Sequence, residues 1–289
     1  MKNYIKLIRP HHYIKNLLVF FPLIFSGRLS EGSLLVKNLL AFAAFCFAAS
    51  VVYIFNDIKD ADADRLNESK KNRPIAGGKI SIKSAVILAA VLFAVSVAIN
   101  FAIPSSLWAW AVFALYYIIN AGYSLCGLKH VALLDIALLT AGFFIRVMYG
   151  AAVTDITISS WLYLTVIAIS FYFSLGKRRN EALTQSPDGA RKVLRCYSQG
   201  FLDKSMYMCL GLAVVFYSLW CVDPQTVERH CHSGAVWTVP LVLIMAMKYS
   251  MDVEGSSDGD PVEIIVHDKA LLALGALYAA CMYYIVYGF

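Results

Sequence analysis

Charge is scarce in this sequence. Of 289 residues only 15% are Asp, Glu, Lys or Arg, while 60% are hydrophobic, and the mean hydropathy is +0.65. Soluble domains carry about a quarter charged residues, so a water-soluble globular enzyme is excluded and a polytopic membrane protein is expected. Cysteine patterning is also missing. Seven Cys are scattered along the chain without a CxxC, which argues against a disulfide framework or a structural zinc site. Residues 1–15 hold Lys2, Lys6, Arg9, two His and a Pro, and no small-residue cleavage site follows the apolar run after them. No cleavable signal peptide is therefore expected.

What the chain has instead is apolar runs long enough to span, or nearly span, a bilayer. Nine are counted: 16–29, 35–56, 84–103, 106–125, 131–153, 158–176, 204–222, 235–251 and 269–287. The first is short and contains Pro22. Turn chemistry separates several of them, at Pro104-Ser105-Ser106, Thr154-Asp155 and Asp223-Pro224. With nine crossings, 21 of the 25 Lys and Arg fall on the side of the N-terminus, three on the other side, and Arg146 lies within the membrane. The positive-inside rule then makes the N-terminal side cytoplasmic.

The acids gather on that side. Asn56-Asp57-Ile58-Lys59-Asp60-Ala61-Asp62-Ala63-Asp64-Arg65 follows directly on the second run. On a helix, at about 100° per residue, Asp57, Asp60 and Asp64 fall within an arc of about 60°, Asn56 lies just beyond Asp60, and Asp62 points away. Three acids on one face repel unless a cation sits among them. Oxygen-only donors suit Mg²⁺, which takes one or two carboxylates together with waters and substrate phosphate oxygens. The same loop continues to Lys70-Lys71-Asn72-Arg73-Pro74-Ile75-Ala76-Gly77-Gly78, where Arg73 can grip a phosphate and the glycine amides can approach an anion. In the fifth run Asp135, Gly142 and Arg146 share a face within about 40°, and Arg146 lies about 16 Å deeper than Asp135. That depth forbids a direct ion pair, and an intramembrane charge usually faces a cavity or a bundle partner such as Asn120. Glu228-Arg229-His230-Cys231-His232 in the outer loop is a weaker metal candidate, remote from the acids, and Cys221 and Cys231 are a weak candidate disulfide pair.

The Asn56–Arg65 motif, followed by Asn72-Arg73-Pro74-Ile75, resembles the first motif of the UbiA superfamily of intramembrane prenyltransferases. The resemblance covers nearly the whole chain. It implies an all-α bundle of about nine transmembrane helices in one domain over residues 1–289, around a central cavity open to the cytoplasmic face. It also implies two acidic motifs that hold a diphosphate through Mg²⁺. The second acidic motif is absent: Gly176-Lys177-Arg178-Arg179-Asn180-Glu181 stands in its place. Arginines cannot hold Mg²⁺ but can hold phosphate. This departure resembles a branch of the superfamily that moves 5-phosphoribose from phosphoribosyl diphosphate to a polyprenyl phosphate in cell-envelope glycan precursor synthesis. So do Arg9-Pro10-His11-His12-Tyr13-Ile14-Lys15-Asn16, Leu128-Lys129-His130, Leu134-Asp135 and Asp260-Pro261-Val262-Glu263. The resemblance implies Asn56, Asp57, Asp60, Asp64 and Asp135 as catalytic residues, with Asp57, Asp60 and Asp64 on Mg²⁺. It implies Lys15, Arg65, Arg73, Lys129, Arg146, Lys177, Arg178 and Arg179 as substrate-binding. The expected partners are phosphoribosyl diphosphate, a polyprenyl phosphate and the membrane, with no nucleic acid. The alternative is a prenyltransferase that moves a prenyl chain from its diphosphate to an aromatic or other acceptor. A transporter is disfavoured, because a transport path needs polar groups through the midplane and only Arg146 is deep.

The topology is testable by cysteine labelling in intact cells. An impermeant maleimide should reach Cys231 and miss Cys196; labelling of Cys196 with Cys231 protected would overturn the nine-span orientation.

Overall fold

A computed structural model describes residues 2–67, 70–184, 192–230, 234–255 and 260–288. Among these residues every regular element is helical. Eight helices are long. We label them α1 (Gly32–Lys59), α2 (Ile82–Ala102), α3 (Leu107–Leu125), α4 (Leu134–Thr154), α5 (Ser160–Thr184), α6 (Gln199–Val222), α7 (Val239–Glu254) and α8 (Lys269–Tyr287). Their starts follow local chemistry. Ser81, Ser106, Ser198 and Asp268 each accept a backbone N–H from the first turn of α2, α3, α6 and α8, satisfying donors that have no partner within the helix. Pro104 separates α2 from α3, and Asp155, at φ 54°, ends α4.

Among the described residues six helical segments are long and apolar enough to cross a membrane: α1, α2, α4, α6, α8 and Gly234–Glu254, which contains α7. The remaining long helices, α3 and α5, coincide with the expected runs 106–125 and 158–176. The run expected at 16–29 is not one α-helix. Arg9, at φ 57°, turns the chain out of a short helix, Lys2–Ile8, into a 3₁₀ helix, Pro10–Phe20, and a five-residue α-helix, Phe21–Phe25, follows with Pro22 in its first turn. Pro22 has no N–H to give to a continuing ladder. A 3₁₀ helix rises about 2 Å per residue, so these two pieces sum to about 30 Å, the thickness of a hydrocarbon core. A second difference concerns α5. It runs through to Thr184, so the Lys177-Arg178-Arg179 cluster is helical rather than part of a loop, and Asn180 ties the end of α5 to α7 by donating to the Val253 carbonyl at 2.8 Å. His230 closes a short helix, Pro224–His230, while Cys231 and His232 lie outside the described residues.

Two apolar clusters flank the middle of the bundle. One joins Val19, Phe45, Phe113, Tyr116 and Tyr149 from the 3₁₀ segment, α1, α3 and α4. The other joins Ile136, Tyr172, Met206, Tyr249 and Val253 from α4, α5, α6 and α7. The 3₁₀ segment packs against α4 at Gly150, where an added Cβ would sit 2.0 Å from the Val19 carbonyl oxygen. Gly150→Ala must therefore push one backbone off the other, at about 1–3 kcal/mol, the usual cost of overpacking. Thermal unfolding in detergent should show a clear drop for Gly150→Ala and none for Gly211→Ala, whose added methyl would meet nothing within 4 Å.

Candidate active site

A cavity of about 620 Å³ lies among α1, α3, α4, α5, the 3₁₀ segment and the residues after Asp260. Its described lining holds eight cations, Arg9, Lys15, Lys70, Arg73, Lys129, Arg146, Lys177 and Arg178, against five carboxylates, Asp57, Asp60, Glu181, Asp260 and Glu263. The surplus is cationic.

The acidic stretch is not one continuous helix. α1 ends at Lys59, Asp60 leaves helical geometry at φ −93°, ψ 3°, and a short helix, Ala61–Leu66, follows. Asp57, on the last turn of α1, is buried. Its Oδ1 accepts from Arg9 Nη2 at 2.6 Å and from Arg73 Nη1 at 3.2 Å. Arg73 Nη1 also donates to Asp64 Oδ2 at 2.7 Å, so one guanidinium brings Asp57 and Asp64 together across the break. Burial raises the Asp64 carboxyl above its usual range despite Arg73. Asp60 accepts from Lys129 Nζ, and Asn56 Oδ1 accepts from Ser124 Oγ. Asp64 lies behind Arg73 rather than on the cavity wall. Asp62 points away, 95% exposed, and pairs with Arg65 at 2.5 Å. Arg65 therefore sits off the cavity, held by Asp62 and by the Ala76 carbonyl. The glycines do not offer their amides to an anion: Gly77 N donates to the Arg73 carbonyl and Gly78 N to the Ile75 carbonyl. Their role is to shape the turn that presents Arg73.

The basic run on α5 divides by face. Arg178 is buried, with a side chain 1% exposed, and donates to Asp135 Oδ2 at 2.6 Å, to Glu181 and to Tyr123 Oη at 3.0 Å. Asp135 is fully buried, accepts also from Tyr197 Oη, and is absent from the described cavity wall. It stands behind Arg178 and fixes it, which differs from the expected place beside a substrate. Arg179, 100° further round the helix, pairs with Asp203 at 2.5 Å, away from the cavity. Lys177 faces the cavity, 3.6 Å from Asp260, whose same oxygen accepts from Lys15 at 2.6 Å. Arg146 lines the deep end. It donates to Asn16 Oδ1 at 2.8 Å and to the Gly142 carbonyl, and lies over the rings of Phe45 and Tyr116. Its polar partner is Asn16 rather than Asn120, which donates to the Tyr116 carbonyl.

Sequence reasoning did not single out Arg9 or Asp260 as site residues. Asp260-Pro261 carried a readable signal, since Asp at an N-cap followed by Pro at N1 marks a helix start. Arg9 opens a run that resembles the same branch of the superfamily, but its pairing with Asp57, 48 residues away, had no signal in the sequence.

The fold family implies Mg²⁺. Among the described residues no three His, Cys, Asp or Glu side chains gather closely enough to hold a metal alone. Mg²⁺ does not need three, since it is commonly bound through one or two carboxylates and substrate phosphates. Asp57 Oδ2 is buried and has no hydrogen-bond partner, an acceptor without a donor next to Asp60. These residues fit a Mg²⁺ shared with a phosphate-bearing substrate.

The Arg178 contacts generate a stability test. Arg178→Ala leaves Asp135 buried without its cation, which costs about 3–5 kcal/mol. Thermal unfolding should show a large loss for Arg178→Ala and little for Lys177→Ala, whose side chain is a third exposed. An Arg178→Ala protein of wild-type stability that had lost only substrate affinity would overturn this structural role.

The model of the UbiA prenyltransferase family matches residues 19–261. The chain is 31% identical to a decaprenyl-phosphate phosphoribosyltransferase of Corynebacterium glutamicum over 98% of this chain and 86% of that protein. It is 34% identical to the enzyme of the same name from Mycolicibacterium smegmatis over 93% of this chain and 88% of that protein. A UbiA homolog from Archaeoglobus fulgidus, solved bound to GPP and Mg²⁺, shares the fold at TM-score 0.74 and 17% identity, covering 98% of this chain and 99% of that one. This chain belongs to the UbiA prenyltransferase family.

Proposed function

We propose that the cavity transfers 5-phosphoribose from phosphoribosyl diphosphate to a polyprenyl phosphate and releases pyrophosphate. The carrying observation is the charge of the wall: eight cations stand against five carboxylates, and Lys177 lies on it in the stretch where the family resemblance implies a second acidic motif. The names of the relatives from Corynebacterium and Mycolicibacterium favour the same chemistry. A prenyl diphosphate with a neutral acceptor would bring one polyanion; phosphoribosyl diphosphate with a lipid phosphate brings three anionic groups.

In this reading a lipid phosphate oxygen attacks the anomeric carbon, the bond from that carbon to the diphosphate oxygen breaks, and pyrophosphate leaves. No protein nucleophile is needed. Arg9, Arg73 and Lys129 already converge on Asp57 and Asp60, and they orient the diphosphate and receive the charge that develops on it. When bound, Mg²⁺ supplies charge neutralisation at the departing pyrophosphate. The positive-inside bias puts this end of the bundle in the cytoplasm. The whole chain is then one integral-membrane domain of nine crossings, if the segment from Pro10 to Phe25 counts as the first.

The test is incubation of purified protein with phosphoribosyl diphosphate, Mg²⁺ and a short polyprenyl phosphate, followed by mass spectrometry of the lipid. A phosphoribosyl adduct is expected. Asp57→Asn and Asp60→Asn should abolish its formation, Asp57→Asn at some cost in thermal stability because its buried carboxylate pairs with Arg9 and Arg73, while Asp62→Asn stays near wild type in both. No adduct, together with transfer from geranyl diphosphate to an aromatic acceptor, would overturn the assignment in favour of prenyl transfer.

A further inference from the structure

Asp260 differs from the other cavity acids in how it is held. It precedes the short helix Pro261–His267, and its Oδ1 accepts the Val262 amide at 3.0 Å as that helix's cap. The carboxylate is thus fixed in place by its own backbone neighbourhood. Its Oδ2 accepts from Lys15 Nζ at 2.6 Å and lies 3.6 Å from Lys177 Nζ. Lys15 comes from the 3₁₀ segment, Lys177 from α5, and Asp260 from the stretch between α7 and α8. Three remote pieces of chain meet at one oxygen, on the cavity wall.

Two ammonium groups this close repel each other unless an anion lies between them. Burial, then Lys15, pulls the Lys177 ammonium below its ordinary value, while Glu181 and Asp260 oppose this and Arg178 adds to it. Burial pushes the Asp260 carboxyl up, but Lys15 and Lys177 outweigh it and hold it well below the usual carboxylate range. His12 is a further titratable side chain on this wall. An ammonium carries three N–H donors. The bridge takes one from Lys15, and at 3.6 Å it is an ion pair rather than a hydrogen bond for Lys177. Donors on both lysines are left for a second anion.

We propose that Asp260 is a positioning residue that holds Lys15 and Lys177 together as the seat of a phosphate monoester, distinct from the diphosphate seat formed by Arg9, Arg73 and Lys129. This rests on the phosphoribosyl-transfer reading, in which both substrates carry such a group: the lipid phosphate of the acceptor and the 5-phosphate of the donor. A phosphate arriving at this pair meets two cations already drawn together. Without Asp260 the lysines separate and Lys177 gives up its proton more readily. The seat then weakens, and weakens further as pH rises.

The test reads binding directly, in detergent, by calorimetry and thermal stabilisation with three probes taken singly: ribose 5-phosphate, farnesyl phosphate and inorganic pyrophosphate. Asp260→Asn is the informative variant, because asparagine caps a helix as well as aspartate does and only the charge is lost. It should weaken one of the two monoesters about tenfold, the scale of one charge-assisted hydrogen bond, and change pyrophosphate affinity by less than about twofold. The deficit should grow between about pH 7 and about pH 9, and Asp260→Glu should restore affinity. Weakened ribose 5-phosphate assigns the seat to the donor; weakened farnesyl phosphate assigns it to the acceptor. Unchanged affinity for both monoesters, or an equal loss for all three probes, would overturn the proposal. The parent reading fails separately: a wild-type protein that shows this binding pattern yet makes no phosphoribosyl lipid sinks the proposed reaction and leaves the seat standing.

Discussion

The arrangement of the cavity depends on the buried pair between Arg178 and Asp135. Their side chains are 1% and 0% exposed, at a depth where an unpaired charge is costly. Asp135 takes Arg178 on one oxygen and Tyr197 on the other. The Tyr197 hydroxyl in turn accepts the Leu133 amide at 2.7 Å, and Leu133 holds a positive φ of 64° at the start of α4. A non-glycine residue persists there only when its surroundings enforce it. This fixes one end of the connection between α3 and α4, and Gly127, at φ 69°, turns the other. Between them stands Lys129, paired with Asp60. One buried ion pair thus reaches the acidic stretch through a tyrosine, a strained backbone and a lysine.

Much of this was legible in the sequence because it depends on local spacing. The helix segments follow from apolar run length, and their starts from serine and aspartate caps. Asp62 points away from Asp57, as helical spacing requires, although the helix breaks at Asp60. The break does not scatter the acids because Arg73 bridges Asp57 and Asp64, a contact that no periodicity encodes. The first apolar run was legible as apolar but not as 3₁₀. The contact that seats it, Val19 against Gly150, joins residues 131 positions apart.

The basic cluster shows where spacing stops informing. Lys177, Arg178 and Arg179 are consecutive, so a helix sends them in three directions about 100° apart. Which one meets a cavity, a buried acid or a surface acid depends on the helix's rotation in the bundle. Asp135, Asp203 and Asp260 set that rotation, and none is near in sequence. The same holds for Arg65 and Arg73. Eight residues apart in the connection between α1 and α2, one ends against exposed Asp62 and the other inside, on Asp57 and Asp64.

On the proposed reading, the basic residues on α5 change what the far wall must neutralise. An acidic wall needs metal before it can attract phosphate, whereas a lysine wall attracts phosphate directly but must be kept from repelling itself. Each inward cation of this wall has an anion arranged to do that: Arg178 has Asp135 and Glu181, and Lys15 and Lys177 have Asp260. The two solutions differ in strength. Arg178 is tied by hydrogen bonds to two carboxylates and has no exposed surface to offer, so it serves the frame. Lys177 is held only by a longer ion pair and keeps a third of its side chain exposed. A graded set of pairings along one helix turn thus separates cations that build the cavity from cations available to a ligand, which a charge count along the sequence does not distinguish.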